Sequence, residues 1–297
     1  MFNNVLVGVD GRMGGRDAIA LAKLLAAPEA SPAFTHVYGG ATAGGRVAAL
    51  AEPLDLERSR QLLAHAVREA GVSAETVSVC DSSVGRGLHR LAEQRHSDLL
   101  VVGSCHRGML GRVFLGDDTR RALNGAPCAV AIAPSGYSSL EPRLSRLGVG
   151  CDRSPETAQA LGVAHMLAAS HDATIEALAV VSLPPYGEPV PDQWAKFAGQ
   201  LVVDELHRLD DLEGVEGDAK YGDPGEELAA FGADLDLLIV GSRSYGPVAR
   251  VFTGSTSNYL ERHARCPLLV LPRSAGAPHE PSASGTAQTS GRSAAGR

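Results

Sequence analysis

An internal repeat constrains this chain more than any other feature. Moved by 138 positions, residues 98–134 align without gaps on residues 236–272, and 14 of these 37 positions are identical. The two copies also begin alike, because NNVLVGVDGRMGGRDAIALAKLLA from Asn3 matches SRLGVGCDRSPETAQALGVAHMLA from Ser145. In a chain of 297 residues, a repeat of this length predicts two domains of one fold in tandem.

Each copy alternates apolar strands with helical stretches. After the strand VLVGVD, apolar residues recur at the spacing of one helix face, and the second copy has the same pattern. The apolar positions are Ala18, Leu21, Ala22 and Leu25 in the first copy, and Ala160, Val163, Ala164 and Leu167 in the second. Further helices are expected near residues 54–71, 86–96 and from 117 in the first copy, and near 194–211, 225–233 and from 255 in the second. The later strands are FTHVY, ETVSVC, DLLVVG and AVAIAP in the first copy, and TIEALAVV, residues 215–221, DLLIVG and PLLVLP in the second.

This alternation predicts an α/β fold of two tandem doubly wound domains, each a five-stranded parallel sheet flanked by helices. The aromatic content of 4% fits such cores, since buried parallel strands are built from aliphatic residues. Ligands of these folds bind beyond the carboxyl ends of the strands, at the point where the strand order reverses. Asp10 and Asp152 end the first strands, and a glycine-bearing loop follows each fourth strand, so both features are expected at that edge.

Composition and charge indicate the domain boundaries, the classes of partner and the cellular location to expect. We expect domains at 1–136 and 144–273, a linker at 137–143, and a disordered tail at 274–297, where large apolar residues are almost absent. The net charge of -7 argues against a nucleic-acid partner. The chain shows no membrane-length apolar run, and its five cysteines form no CxxC pair. From the first residues, MFNNVLVGVD, no signal peptide is expected. A reduced, cytoplasmic protein is expected.

The order of these motifs resembles universal stress proteins. The resemblance rests on the strand ending in Asp, the VVGS or IVGS strand end, the glycine-bearing loop, the Gly-Ser turn and the Cys before the last strand. It implies a fold like that of adenine nucleotide alpha hydrolases, domains that pair in a dimer-like way, and ATP bound without a conventional P-loop. We expect the two copies to pair through their last strands, AVAIAP and PLLVLP; the sequence leaves a homodimer open.

The nucleotide pattern of that family, G-x2-G-x9-G-[ST], is better preserved in the second copy. There, Gly241, Gly254 and Ser255 keep its outer glycines and its hydroxyl, while Ser244 replaces its second glycine. The first copy has Gly103 and Gly116, but His106 and Asp117 stand at the other two positions. Glycines let backbone N–H groups approach phosphate oxygens, and a helix N-terminus favours an anion. Asp117 and Asp118 would instead repel a triphosphate.

The resemblance therefore implies a nucleotide site in each copy. In the second copy the candidate residues are Asp152, Val180, Gly241, Ser242, Gly246, Gly254, Ser255 and Thr256, with Arg243 and Arg250 near in sequence; in the first they are Asp10, Val37, Gly103, Ser104, Gly108 and Gly116. Simpler roles stay open for several of them. Each aspartate could form an Asx turn that caps the next helix, the glycines could serve turns alone, and the valines could be core residues.

The cysteines and histidines give weaker indications of a functional site. Cys105 and His106 have no second pair at metal-ligand spacing, so no metal site is expected, and Cys105 is at most a redox-sensitive thiol. Cys128 and Cys266 occupy matching places and are expected to be buried. His36 has no serine or aspartate partner that its spacing reveals.

The sequence thus predicts a non-catalytic stress-response protein that binds ATP or a related adenine nucleotide, with Mg²⁺ as an optional companion ion. One alternative is an interaction or regulatory module that binds no nucleotide, which the departures at His106, Asp117 and Ser244 favour. The other is a slow ATPase that uses Asp117 or Asp118.

Overall fold

The computed structural model of the chain describes residues 1–39, 46–104, 120, 124–182, 192–242 and 255–272. In the first half its elements are β1 Val5–Gly8, α1 Met13–Leu25, β2 Ala33–Tyr38, α2 Arg46–Ala70, β3 Glu75–Cys80, α3 Val84–Arg95, β4 Leu99–Gly103 and β5 Ala129–Ala133. In the second half they are β6 Arg146–Cys151, α4 Pro155–His171, β7 Thr174–Val181, α5 Asp192–Asp210, β8 Val215–Tyr221, α6 Pro224–Phe231, β9 Leu237–Gly241, α7 Ser255–His263 and β10 Leu268–Leu271. The predicted α/β fold is confirmed in both halves.

Helix α2 is longer than the sequence predicts. It begins at Arg46 rather than near residue 54, and Pro53 lies inside it. A proline in a helix removes one backbone hydrogen bond. The later turns stabilise the helix despite that loss, because they bury Leu63 and Ala66 in the core.

The ten strands form one continuous sheet in the order β3-β2-β1-β4-β5-β10-β9-β6-β7-β8. Strands within each half are parallel, while β5 and β10 pair antiparallel, with Leu268 opposite Ile132 and Val270 opposite Val130. The predicted pairing of the last strands is therefore confirmed. These four side chains are fully buried, and burying a large aliphatic side chain contributes roughly 1.5–3 kcal/mol. The seam between the halves is thus a piece of hydrophobic core, and it covers two strand edges.

Alternate residues of each strand enter cores on opposite faces of the sheet. Val5 and Val7 of β1 pack on the face that α1 covers, whereas Leu6 faces the side of α3. The second half repeats this arrangement, with α4 on the first face and with α6 and α7 on the other. No helix among the described residues combines the length and apolar content that spanning a membrane requires.

The chain between the halves is anchored to α1 by a buried aspartate. The Asp17 carboxylate accepts hydrogen bonds from the backbone N–H of Gly136 (2.8 Å), and from the N–H (2.8 Å) and hydroxyl (2.7 Å) of Ser138. A short 3₁₀ turn, Tyr137–Ser139, forms there, and the Tyr137 ring is buried. Part of the segment that the sequence predicts as a linker is therefore fixed against the first half.

Candidate functional site

A cavity of about 270 Å³ opens at the carboxyl ends of β1, β2 and β4 in the first half. The strand order reverses between β1 and β4, because the chain runs from β1 to β2 and β3 on one side and then returns to β4 on the other. The cavity is lined by Gly8, Val9, Asp10, Arg12, Gly14, Gly15, Thr35, His36, Val37, Val84, Leu88, Val102 and Gly103. This cavity, which we call the first cleft, lies where doubly wound folds bind ligands.

Asp10 lines one side of the first cleft and lies just before α1. Its Oδ1 accepts from the backbone N–H of Arg12 at 2.9 Å and of Gly15 at 3.0 Å. Two N–H groups that the start of a helix would leave without partners are satisfied in this way. The Asx-turn role is therefore present, and the carboxylate also lines the cleft.

The matching Asp152 has the same local role in the second half. Its Oδ1 accepts from the N–H of Ser154 at 2.8 Å, from the Thr157 hydroxyl at 2.9 Å, and from the Ser154 hydroxyl. The two repeats therefore build the same turn at the end of their first strands, with hydroxyl donors added in the second.

The floor of the first cleft is apolar. A Cβ atom on Gly8 would lie 3.3 Å from Val102 and 3.6 Å from Leu88, so the absence of a side chain at Gly8 keeps this space open. In the second half a Cβ on Gly150 would meet Leu228 and Val240, each at 3.2 Å. The same glycine and the same Leu–Val wall therefore occur in both halves.

The glycine that ends β4 permits a close approach between two backbones. A Cβ on Gly103 would lie 2.0 Å from the carbonyl oxygen of Gly14, at the first turn of α1. No side chain fits there, since real Cβ atoms do not approach backbone atoms that closely. Gly103 thus has a packing reason to be glycine, whether or not a phosphate approaches it.

The second half replaces Gly14 with a carboxylate. Glu156 stands at the matching position of α4, is 6% exposed, and its Cβ would lie 2.5 Å from a Cβ on Gly241. A buried acidic side chain therefore lies beside the first glycine of the better-preserved pattern. Sequence reasoning missed it, although the aligned pair Gly14 and Glu156 carried the signal.

His36 is a second residue that sequence reasoning missed. It lines the first cleft, and its Nδ1 lies 2.9 Å from the Ser59 hydroxyl, which donates to the Ser78 hydroxyl at 2.8 Å. Because the Ser59 proton is donated to Ser78, the Ser59 oxygen accepts from Nδ1–H, and Nε2 of the neutral ring is left as an acceptor. Burial lowers the pKa of His36, and the Asp10 carboxylate opposes this shift.

The serine partner of His36 comes from α2 and is far away in sequence, which is why its spacing did not reveal it. In the second half, Ala179 and Ala219 pair in the register of His36 and Ser78. The polar network therefore belongs to the first half alone among these matching positions.

Comparison with known sequences decides the family. The sequence model of the universal stress protein family matches residues 1–134 and 144–272. The chain belongs to this family.

Curated relatives include other universal stress proteins of similar length. Universal stress protein Rv2319c of Mycobacterium tuberculosis strain H37Rv is 29% identical over 237 residues, which span 72% of this chain and 80% of that protein. Universal stress protein Rv2005c of the same strain is 27% identical over 231 residues, spanning 73% of this chain and 78% of that protein. A crystal structure of a universal stress protein from Archaeoglobus fulgidus DSM 4304 superimposes with a TM-score of 0.63 at 17% identity, covering 92% of this chain and 97% of that one.

The remaining predicted residues of this universal stress protein divide into four groups. Val37 lines the first cleft and Val180 is half-buried in the corresponding core. The Ser104 hydroxyl is buried and donates to the Ala133 carbonyl at 2.8 Å, and Ser242 is buried as well, its N–H donating to Leu271 at 3.0 Å. Ser255 and Thr256 begin α7. Gly108, Gly116, Gly246 and Gly254 lie outside the described residues, as do Cys105, His106, Asp117, Asp118, Arg243, Ser244 and Arg250.

The cysteine prediction is confirmed for the matching pair. Cys128 and Cys266 are buried, and burial raises the pKa of each thiol to about 12. A thiol with so high a pKa is protonated near neutral pH and unreactive. These two residues therefore serve as small core residues of the universal stress protein fold.

Proposed function

We propose that this universal stress protein binds ATP or a related adenine nucleotide and does not hydrolyse it. The observation that carries the proposal is the apolar-floored cavity at the strand-order reversal of the first half, bordered by Asp10 and by Val37. The second half repeats this arrangement, with Asp152 at the turn and with Leu228 and Val240 around Gly150. A flat aromatic base suits the walls of Val84, Leu88 and Val102, while Asp10 can accept hydrogen bonds from ribose hydroxyls. Mg²⁺ would accompany a triphosphate, and a reduced, cytoplasmic setting remains part of the proposal.

The two halves are unequal in what they offer a nucleotide. The second half keeps the Gly254–Ser255 turn, which suits phosphate. It also carries the buried Glu156 beside Gly241, and a carboxylate there opposes polyphosphate. We propose that the second half is still the better phosphate site, because the first half has Asp117 and Asp118 where the second has the hydroxyl residues Ser255 and Thr256.

The test is isothermal titration of the full chain with ATP, using a matched pair of variants. Gly8→Val and Gly150→Val place the same side chain at the same point of each half, against the Leu88–Val102 and Leu228–Val240 walls. We expect Gly150→Val to abolish binding and Gly8→Val to leave most of it. Circular dichroism checks that both variants fold. Gly254→Asp should also abolish binding, whereas Gly116→Asp should change little.

Two results would reject parts of the proposal. If millimolar ATP gives neither heat nor thermal stabilisation, nucleotide binding is rejected and the nucleotide-free module is favoured, which the departures at His106, Asp117 and Ser244 support. Phosphate release above background, lost in Asp117→Asn or Asp118→Asn, would reject the non-catalytic part and favour the slow ATPase.

A further inference from the structure

A second cavity, of about 550 Å³, lies between α1 and α2. We call it the α1–α2 groove. Ile19, Leu62 and Ala66 form its apolar floor, and Arg12, Arg16 and Lys23 line it along α1. Its volume is about twice that of the first cleft, and small-molecule sites typically measure roughly 300–1,000 Å³. A mainly apolar cavity with a few converging charges is the usual form of such a site.

The second half differs at the corresponding place. Arg153 stands where the first half has Gly11, the residue that Leu62 of α2 approaches. The Arg153 Nε lies 2.6 Å from Glu205 Oε1, and Arg208 of the same helix pairs with Glu205 at 2.8 Å. Ion pairs therefore join the start of α4 to α5. The two repeats differ at this place, because the matching Gly11 of the first half carries no side chain that could form such a pair.

Three cationic side chains, Arg12, Arg16 and Lys23, line the α1–α2 groove against two carboxylates, Asp10 and Glu69, so the balance favours an anion. Arg16 pairs with Glu69 at 2.9 Å, but both side chains are more than 40% exposed, so this pair is weak and can be exchanged. Lys23 Nζ donates to the Ala70 carbonyl at 2.6 Å and keeps two further N–H donors. Arg12 forms no ion pair with any described residue. It stands just before α1, whose leading N–H groups already donate to the Asp10 carboxylate, so the Arg12 guanidinium is the group that can receive an anion there.

We propose that the α1–α2 groove binds a small amphipathic monocarboxylate. The Arg12 guanidinium receives the carboxylate, and the aliphatic tail follows α1 over Ile19, Leu62 and Ala66 towards Lys23. The stretch from Arg12 to Lys23 measures about 16 Å along the helix axis, which accommodates a medium-length chain. The α1–α2 groove is distinct from the first cleft, although the two cavities adjoin at Val9, Asp10 and Arg12, which line both.

The probe is decanoate, titrated below its micellar concentration into the full chain by isothermal titration calorimetry. Acetate carries the same head without the tail, and decyltrimethylammonium carries the same tail with the opposite charge. We expect one equivalent of decanoate to bind and neither control ligand to bind measurably. Equal binding of the decyl cation, or several equivalents of decanoate, would overturn the proposal, because either result describes non-specific surfactant binding.

Variants then locate the site. Leu62→Glu places a carboxylate on the apolar floor of the groove, and we expect at least a tenfold loss of decanoate affinity; Arg12→Gln should also weaken binding severalfold. The matched control is Leu54→Glu on the same helix, whose side chain is 61% exposed, and it should bind decanoate like the unmodified chain. Gly8→Val, which fills the first cleft, should bind decanoate normally. Unchanged affinity in Leu62→Glu, or loss in Gly8→Val, would overturn the assignment to the α1–α2 groove.

Discussion

The Arg120 guanidinium of the first half lies 3.6 Å from the Glu261 carboxylate of α7 in the second half. The Glu261 side chain is fully buried, whereas Arg120 is partly exposed. Burial raises the pKa of Glu261 to about 6, although the positive charge of Arg120 opposes this rise. The contact between the halves therefore includes one carboxylate whose ionisation is unfavourable in the folded state.

This contact predicts a pH-dependent stability. The pKa of Glu261 rises from an ordinary 4.5 to about 6 on folding, so the folded chain retains this proton more readily than the unfolded chain does. The penalty for ionising it grows as pH rises from about 4.5 through 6 and is complete above that range, where it amounts to about 2 kcal/mol. Glu261→Gln should therefore raise the free energy of unfolding by about 2 kcal/mol near pH 8 and have little effect near pH 4.5.

Urea unfolding at both pH values measures this difference. Glu57→Gln is the control, because the Glu57 side chain is exposed on α2. A stabilisation that does not depend on pH, or a loss of stability near pH 8, would show that the Arg120 contact outweighs the burial of Glu261.

The hydrogen bonds of Asp17 should stabilise the segment between the halves against α1. Asp17→Ala leaves three donors of Gly136 and Ser138 without their acceptor in a buried place. We expect a loss of about 3 kcal/mol in the free energy of unfolding and faster protease cleavage near residue 140. Asp17→Asn keeps one side-chain oxygen and should lose less. Asp55→Ala, at an exposed ion pair of α2, is the surface control; equal cleavage rates in all these variants would contradict the anchoring role.

The repeat was enough to predict most of the fold. Two copies of the same strand and helix pattern specify the parallel order of each half, and the aliphatic last strands indicated the seam at β5 and β10. Contacts between distant segments could not be predicted in this way. Ser59 reaches His36 only because α2 packs over β2, and Leu62 reaches Gly11 for the same reason. Glu156 was visible in the alignment of the copies, but its burial beside Gly241 depends on the path of α4.

The His36 network predicts a fixed tautomer. Because Ser59 accepts from Nδ1–H, the neutral ring of His36 should be the Nδ1–H form, which is observable in ¹⁵N-correlated NMR spectra. Burial should hold its pKa below the ordinary value of about 6.5, so the ring should be less protonated than an exposed histidine at the same pH. Ser59→Ala should yield mixed tautomers and cost about 1 kcal/mol of stability. Ser170→Ala, at an exposed hydroxyl of α4, should change neither property; an Nε2–H ring in the unmodified chain would contradict the network.

Glu156 gives the last prediction, which depends on nucleotide binding in the second half. This carboxylate is buried beside Gly241, and Gly241 is the first glycine of the pattern expected to hold phosphates. A negative charge there repels each added phosphate, so Glu156→Gln should strengthen ATP binding about five- to tenfold, which is roughly 1 kcal/mol and fits one charge in a partly screened site. AMP carries less charge, so its affinity should rise less. Titration of both nucleotides measures the difference, with Glu213→Gln as an exposed control and thermal unfolding to check that the loss of the carboxylate leaves the fold intact. Equal gains for ATP and AMP would mean that Glu156 acts through the shape of the second half rather than through its charge, and no gain for either would mean that the phosphates do not approach Gly241.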